Sequence, residues 1–495
     1  MILLRVEEIA PAVNGKIRQG DRETVIRRVS TDTRTLKKGD LFVPLKGDNF
    51  DGHRFIGEAL EKGASGFLTT EWNSKAKSKP KLELDNSIAV IEVDDTLKAY
   101  QDIAHYVRER LAARVVGITG STGKTSTKDM LASILSRSMK ISYPPENYNN
   151  EIGVPFTILQ ADEKTEVIVL EMAMRGLGQI HELAEIGRPD IGVVTNIGVA
   201  HFELLGSEEM IFEAKSELMK SLDADGRAVL NQDDPKVMKL RDLTRASIVT
   251  FGMDKKADIF CSNVTLDSQG CVSFDLHLKD GDAVPVALPV PGKYNIYNAL
   301  AAAAVSFILG VSSQVIKTGL ERATLSSMRM EVLTTPSGLT ILNDAYNAAP
   351  DSMKAALETL KEVSGQARHG GQVRSVAILG DMLELGALTA VSHLQVGSMA
   401  ADAGVDLLIT IGEKAQLIAE GASKAGVDSE KIRSFGEITE GSDELFKLVS
   451  PGDVILVKAS RAMKFENVVK VLVGADVSVR PGPTQRSAPT SMGLR

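Results

Sequence analysis

Cysteine is almost absent from this chain of 495 residues, which has only Cys261 and Cys271. Two thiols alone cannot build a zinc cluster, and a chain of this bulk needs no disulfide to supplement its core, so reduced cysteines are expected. Long apolar runs are lacking too. The N-terminal "MILLRVEEIAPAV" meets charge after four residues, which predicts neither a signal peptide nor a membrane span. The most apolar stretch, "ALAAAAVSFILGV" over 299–311, falls short of the ~20 residues that cross a bilayer and reads as a buried helix. Positive charge is not in excess. Lys and Arg number 57 against 65 Asp and Glu, a formal net charge of -8, so neither nucleic acid nor membrane insertion is expected. These absences together predict a cytoplasmic protein.

What is present is length enough for two to four domains, with no repeat of solenoid period. Residues 1–112 are turn-rich and lack a long alternation of strands and helices. From 113 to 326 the pattern is strand, loop, helix, with "VVGIT", "EVIVLEM", "IGVVTNIG" and "AVLNQDD" as the strands, which predicts a parallel sheet. Within it, 257–290 alternates between turn signals and reads as antiparallel hairpins. A third unit, 327–475, has its own strands "LTILNDAYNA", "SVAILGD", "DLLITIG" and "DVILVKAS", each ending in glycine or a polar residue where open α/β sheets place ligands. Residues 476–495 are rich in Pro, Ser, Gly and Arg and read as a disordered tail.

The stretch "VVGITGSTGKTSTKDML" over 115–131 is a strand, a Gly-Ser-Thr-Gly-Lys-Thr loop and a helix. It fails the usual G-x-x-x-x-G-K-[ST] spacing, because Ile118 stands where the first glycine belongs. The chemistry of a phosphate loop is nevertheless complete. Gly120, Ser121, Thr122 and Gly123 can turn N–H groups toward a phosphate, Lys124 can reach the outer phosphates, and Thr125 and Ser126 open the helix. Two further strand ends point the same way. "EVIVLEM" releases Glu171 after an apolar run, and "IGVVTNIGVAHFELLGS" delivers Asn196, His201 and Glu203. Beside a phosphate loop, Glu171 and His201 make a candidate hard-cation site; a salt-bridged carboxylate and an ordinary loop histidine are the alternatives.

The segment "EEMIFEAKSELMKSL" has an apolar stripe of Ile211, Leu218 and Leu222, and Lys215 falls inside it while Lys220 points away. An unpaired ammonium is costly on a buried face. Lys215 must therefore snorkel, pair, lose its proton or be modified.

These residues together resemble the Mur ligase superfamily, ATP-dependent amide-forming enzymes of peptidoglycan synthesis, whose phosphate loop reads T-G-[ST]-x-G-K-[ST]; "TGSTGKT" matches it. The likeness runs to about residue 475 and is carried by "ENYNNEIGVP", "PGKYNIYNALAAAA", "MRMEV", "NDAYNAAPDSMKAAL", "GDMLELG" and "VKASRAMKFE". Folylpolyglutamate synthases share the loop but lack a long N-terminal unit, whereas "TDTRTLKKGDLFVPLKGDNFDGHRF" resembles a uridine-nucleotide domain of the superfamily. The D-N-P-R motif of one branch is absent, and "NDAYNAAP" takes the form of the branch that joins UDP-MurNAc-tripeptide to D-Ala-D-Ala. Two positions depart from the pattern, Ala349 replacing asparagine and Ala459 replacing glycine.

The resemblance implies three α/β domains: a small uridine-nucleotide domain, a central parallel-sheet ATPase and a Rossmann-like C-terminal domain. It also implies roles. Lys124 and Thr125 would hold ATP and magnesium, Glu171 and His201 the metal, and Lys215 would carry carbon dioxide as a carbamate ligand. Asn295 and Asn298 would lie beside adenine, with helix capping as the alternative; Arg329 would meet phosphate and Asp344 the ribose. Thr33 and Arg34 would contact the uridine nucleotide, with an ordinary surface-turn arginine as the alternative for Arg34, and Asn347, Lys458 and Arg461 the other substrate groups. A monomer is expected. The competing class is a regulatory nucleotide switch, which explains the loop but neither the N-terminal domain nor Lys215.

Overall fold

A computed structural model of the chain describes residues 2–47, 50–72, 85–145, 147–199, 202–279, 281–368 and 373–474. His201 and the expected tail at 476–495 lie outside them. Three sheets organise these residues. The N-terminal one has five strands in the order Lys16–Gln19, Ala89–Glu92, Gly66–Thr69, Leu41–Phe42, Val29–Ser30, antiparallel at the first pairing and parallel thereafter. The helix Thr96–Arg110 follows, its first N–H groups capped by the carboxylate of Asp95. Its buried face, Ile103, Ala104 and Val107, belongs to an apolar cluster that also takes in Leu183 and Ile186 from beyond the phosphate loop. The chain thus passes from the N-terminal domain to the central one through shared core.

The central sheet has nine strands. Ile141–Ser142, Val167–Glu171, Arg114–Thr119, Ile191–Val194, Arg227–Asn231, Ser247–Gly252 and Ile259–Leu266 are parallel in that order. Their β-branched runs are buried on both faces, as crossover helices require. The antiparallel extension expected at 257–290 is present as Ile259–Leu266, Cys271–His277 and Val284–Pro291. The alanine-rich stretch is a buried helix, Tyr294–Ile308, packed on the helix Lys124–Leu135; with only methyl groups at Ala301–Ala304 the two approach closely.

The C-terminal sheet has six strands in the order Glu331–Thr334, Thr340–Asn343, Val454–Lys458, Ser375–Gly380, Leu407–Ile411, Ile432–Phe435, antiparallel only at the first pair. Ala459 is fully buried here, and its methyl group faces the place where Gly380 has no side chain, since a Cβ on Gly380 would come within 2.7 Å of it. The chain enters this domain through Met328 and Met330, both with left-handed backbone (φ 60° and 53°), a strained pair of non-glycine residues that flanks Arg329. Among the described residues no helix is long and apolar enough to cross a membrane.

Candidate active site

The C-terminal ends of the central and C-terminal parallel strands face a cavity of about 1360 Å³. Ser121, Thr122, Gly123, Lys124, Thr125, Ser126, Glu171, Asn298, Arg329, Asp344, Asn347, Lys458 and Arg461 all line it. Residues more than 300 positions apart are thereby brought to one chamber, as expected for α/β sheets that place ligands beyond their carboxyl edges.

The phosphate loop is shaped by close approaches that only glycine permits. Gly120 has φ 148°, and a Cβ there would lie 1.9 Å from Thr195 Oγ1. Gly123 has φ 81°, and its Cβ would lie 2.4 Å from Asn298 Oδ1. The loop is strapped to the next strand end. Thr122 N–H donates to Asn196 Oδ1 (2.9 Å), Asn196 Nδ2 donates to Thr122 Oγ1 (2.8 Å), and Ser121 Oγ exchanges bonds with the backbone of Gly198 (3.0 and 2.9 Å). Lys124 Nζ donates back to the Gly120 carbonyl (2.7 Å). Burial lowers its pKa, the Glu171 carboxylate opposes that, and Arg329 adds to it. Arg329 and Glu171 are therefore close electrostatic neighbours of the loop lysine.

Glu171 is 1% exposed. Its Oε1 accepts from Thr125 Oγ1 (3.1 Å) and Asn149 Nδ2 (2.8 Å), whereas Oε2 is buried with no hydrogen-bond partner among the described residues. A carboxylate oxygen in that state lacks the compensation that buried charge needs. A hard cation would supply it, and a carboxylate beside a hydroxyl, with room for phosphate and water oxygens, is the oxygen-rich set that magnesium takes. Among the described residues, which leave out His201, no three His, Cys, Asp or Glu side chains converge as a metal site.

Lys215 is buried as its stripe requires, 2% exposed beside Ile211 (0%), Leu218 (0%) and Leu222 (3%). No hydrogen bond or ion pair holds its ammonium among the described residues, in contrast to buried Lys128, which pairs with Asp129 at 2.8 Å. Burial first, and the charge of Lys124 second, push its pKa well below the usual lysine value. Burial thus disfavours the charged form of this amine, and Lys220 on the opposite face pairs with Glu213 as an ordinary surface lysine.

Asn295 and Asn298 do not cap their helix. Asn295 Nδ2 donates to the Pro291 carbonyl (2.8 Å), Asn298 Nδ2 to Asn295 Oδ1 (2.9 Å), and Thr127 Oγ1 to Asn298 Oδ1 (3.4 Å). This buried chain ties the alanine-rich helix to the phosphate-loop helix, with Asn298 on the cavity wall and Asn295 beneath it. Arg329 lies 4.0 Å over the Tyr346 ring, its Nε buried without a partner. Asp344 accepts from Met330 N–H (3.1 Å) and from Lys458, whose Nζ also donates to the Asn347 carbonyl (2.9 Å). Arg461 pairs with Glu466 at 2.9 Å.

Thr33 and Arg34 are not on this wall. Thr33 is buried in its turn, and the Arg34 side chain is 86% exposed with its fork on Asp32 (2.7 Å). Asn196, read from sequence as a strand-end residue pointing to this site, is held against Thr122; Asn149 and Tyr346 are not legible as site residues in the sequence, and what identifies them is contact with Glu171 and Arg329 across the chain.

The comparisons with known proteins agree with this arrangement. Residues 25–108 match the model described as Mur ligase family, catalytic domain, residues 118–306 the Mur ligase middle domain, and residues 328–461 the Mur ligase, glutamate ligase domain. The UDP-N-acetylmuramoyl-tripeptide--D-alanyl-D-alanine ligase of Bacillus subtilis (strain 168) is 37% identical over 97% of this chain and 100% of its own length. The solved UDP-N-acetylmuramoylalanyl-D-glutamyl-2,6-diaminopimelate--D-alanyl-D-alanyl ligase of Acinetobacter baumannii superposes with a TM-score of 0.80 at 30% identity, covering 95% of this chain and 98% of that one. The MurF ligase of Thermotoga maritima, solved in complex with ADP, gives 0.77 at 28% identity over 90% and 97%. With phosphate loop and orphaned carboxylate meeting in one chamber lined from three matched domains, and buried Lys215 within electrostatic reach of Lys124, the chain belongs to the Mur ligase family, in its MurF branch.

Proposed function

We propose that this chain ligates D-alanyl-D-alanine to UDP-N-acetylmuramoyl-tripeptide with conversion of ATP to ADP and phosphate, and that the residues gathered in the cavity perform the steps. The observation that carries the assignment of residues is the buried, partnerless Oε2 of Glu171 next to Thr125 and Lys124. A carboxylate is a poor electrophile near neutral pH, so the tripeptide carboxylate first takes the γ-phosphoryl group to become an acyl phosphate. Lys124 and Arg329 neutralise charge that builds on the transferred group, and the loop N–H groups orient it. The amine of D-Ala-D-Ala then attacks the acyl carbon, forming the C–N bond while phosphate leaves and the amine gives up its proton.

Thr125, Glu171, His201 and carbamylated Lys215 would hold magnesium, which when bound screens the phosphate oxygens and strengthens the γ-phosphorus as an electrophile. The Lys215 carbamate forms when the neutral amine adds carbon dioxide and loses a proton. Asn298 and Asn295 set the nucleotide side, and Asp344, fixed by Lys458 and Met330 N–H, the ribose side. Asn347, Lys458 and Arg461 face the incoming substrates. Domain closure that brings Arg329 to the nucleotide would also exclude water from the acyl phosphate. In the structure the C-terminal domain touches the central one, with Glu203 N–H donating to the Glu384 carbonyl at 3.0 Å. Because its substrates are a nucleoside triphosphate and a uridine nucleotide, the enzyme works in the cytoplasm, and it acts as a monomer.

Phosphate release tests the reading. Rapid release is expected only when ATP, UDP-MurNAc-tripeptide and D-Ala-D-Ala are all present, with product formed in equal amount. Release indifferent to the two cosubstrates would identify a nucleotide switch instead. A second, smaller effect is expected at Arg34. If residues 1–112 bind the uridine nucleotide through this turn, Arg34→Ala raises KM for UDP-MurNAc-tripeptide about fivefold, the worth of one exposed charged contact. An unchanged KM removes Arg34 from the substrate site.

A further inference from the structure

Among the described residues, five cationic side chains line the cavity: Lys124, Arg175, Arg329, Lys458 and Arg461. Four are engaged. Lys124 is folded onto its loop, Lys458 is paired with Asp344, Arg461 is paired with Glu466, and Arg329 lies on Tyr346 within electrostatic reach of Lys124. Arg175 differs from all of them. Its backbone N–H donates to Gln179 Oε1 (2.6 Å), and no hydrogen bond, ion pair or ring contact uses its guanidinium.

Its place in the fold gives that free fork a direction. Arg175 stands four residues after Glu171, on the loop from the strand Val167–Glu171 to the helix Gln179–Gly187. At the start of that helix the Gly178 and His181 N–H groups already donate to the Glu217 carboxylate (2.6 and 2.9 Å). The guanidinium is thus what this corner offers a ligand. The same stretch of cavity lining includes Gln101, Asn150, Glu151 and Glu182, on or beside helices Thr96–Arg110, Gly153–Leu159 and Gln179–Gly187, which pack on one another. Glu151 and Glu182 would repel an anion here, and Arg175 is the cation that offsets them.

We propose that Arg175 anchors a spectator carboxylate of the acyl substrate's peptide, one that the reaction does not consume; this rests on the ligase reading above. A peptide such as the alanyl-D-glutamyl-2,6-diaminopimelate named for the Acinetobacter baumannii relative has two carboxylates of this kind, one on the D-glutamyl residue and one on the diaminopimelate. The carboxylate that is phosphorylated must lie by Lys124 and Glu171. Four residues of chain from Glu171 reach at most about 14 Å, an upper bound wide enough to take in two carboxylates on neighbouring residues of that peptide. A planar fork binds a carboxylate with two parallel hydrogen bonds, which a lysine cannot do.

The test pairs two variants with three substrates in full steady-state kinetics. The substrates are UDP-MurNAc-tripeptide with diaminopimelate, the same nucleotide with the D-glutamyl carboxylate amidated, and the nucleotide with lysine in place of diaminopimelate. In the unmutated enzyme, removing the anchored carboxylate should raise KM about 10- to 100-fold, the size of one charge-assisted pair. R175Q should show that rise with the first substrate and then no further change with the analogue that lacks the anchored group, while R175K falls between. KM for ATP and the melting temperature should stay put, which separates anchoring from a structural role. An R175Q enzyme with normal KM, or one that still discriminates both analogues as the unmutated enzyme does, overturns the proposal alone. No product from the unmutated enzyme with any of the three overturns the ligase reading, and this with it.

Discussion

Lys124→Ala should abolish ligation while leaving the protein folded. Nζ contributes hydrogen bonds to the Gly120 and Ser121 carbonyls, which water entering the cavity can replace, so the melting temperature should move little. The chemical step loses far more. With no substrate bound the ammonium is turned onto its own loop, and a phosphate group placed there would draw it away as the stronger partner. Its charge then acts where negative charge accumulates during phosphoryl transfer, inside a site screened from solvent, and removing such a group costs about 10³-fold or more in kcat. Product formation and thermal unfolding measured on one preparation decide the matter. Turnover near normal in the variant would end the phosphate-loop assignment; loss of both turnover and the folded state would instead make the loop structural.

The parts of this site that were legible in the sequence are those where one side chain contradicts its local pattern. Glu171 ends an apolar strand and Lys215 interrupts an apolar stripe, and both anomalies survive in the fold as a partnerless carboxylate oxygen and an unpaired buried amine. Sheet order was legible only as a class. A β-rich run predicts a strand, but nothing local dictates that Arg114–Thr119 lies between Val167–Glu171 and Ile191–Val194. Asn298 shows the limit most clearly. Its helix position admitted either a cap or a ligand contact, and a partner that occupies its side chain, Thr127, is 171 residues away. Gly380 and Ala459 make the same point for packing: an alanine where the family has glycine is accommodated because the facing strand has no side chain to meet it. Arg34 is expected from the resemblance to meet the uridine nucleotide, and its fork is engaged two residues away by Asp32, a pairing that the sequence "TDTR" permits but does not require.

Lys215→Met should give an inactive protein that is more stable than the original. A buried lysine without a partner binds protons less readily in the folded chain than in the unfolded one, so folding at neutral pH must strip or strand that proton. The sign follows from linkage. Because the unfolded state holds more protons, the contribution of Lys215 to stability rises with pH up to the ordinary lysine value near 10.5, and at pH 7 it is a penalty. A methionine fills similar volume beside Ile211, Leu218 and Leu222 and removes that penalty, a gain of about 1–3 kcal/mol. Function should move the opposite way. On the proposed function, loss of the amine removes the carbamate and its oxygen donors to the metal, so ligation should fall about 10³-fold. Lys215→Arg should be equally inactive, since it keeps the charge and cannot form the carbamate, and it should lack the gain in stability. In Lys215→Ala the vacated space can admit a small anion, so added bicarbonate or acetate should restore part of the rate, a response that simple loss of folding would not give. An active arginine variant, or a methionine variant that is active, would mean that Lys215 serves the helix and not the metal; a methionine variant that is inactive and less stable would mean that the amine has a partner in the folded protein that pays for its burial.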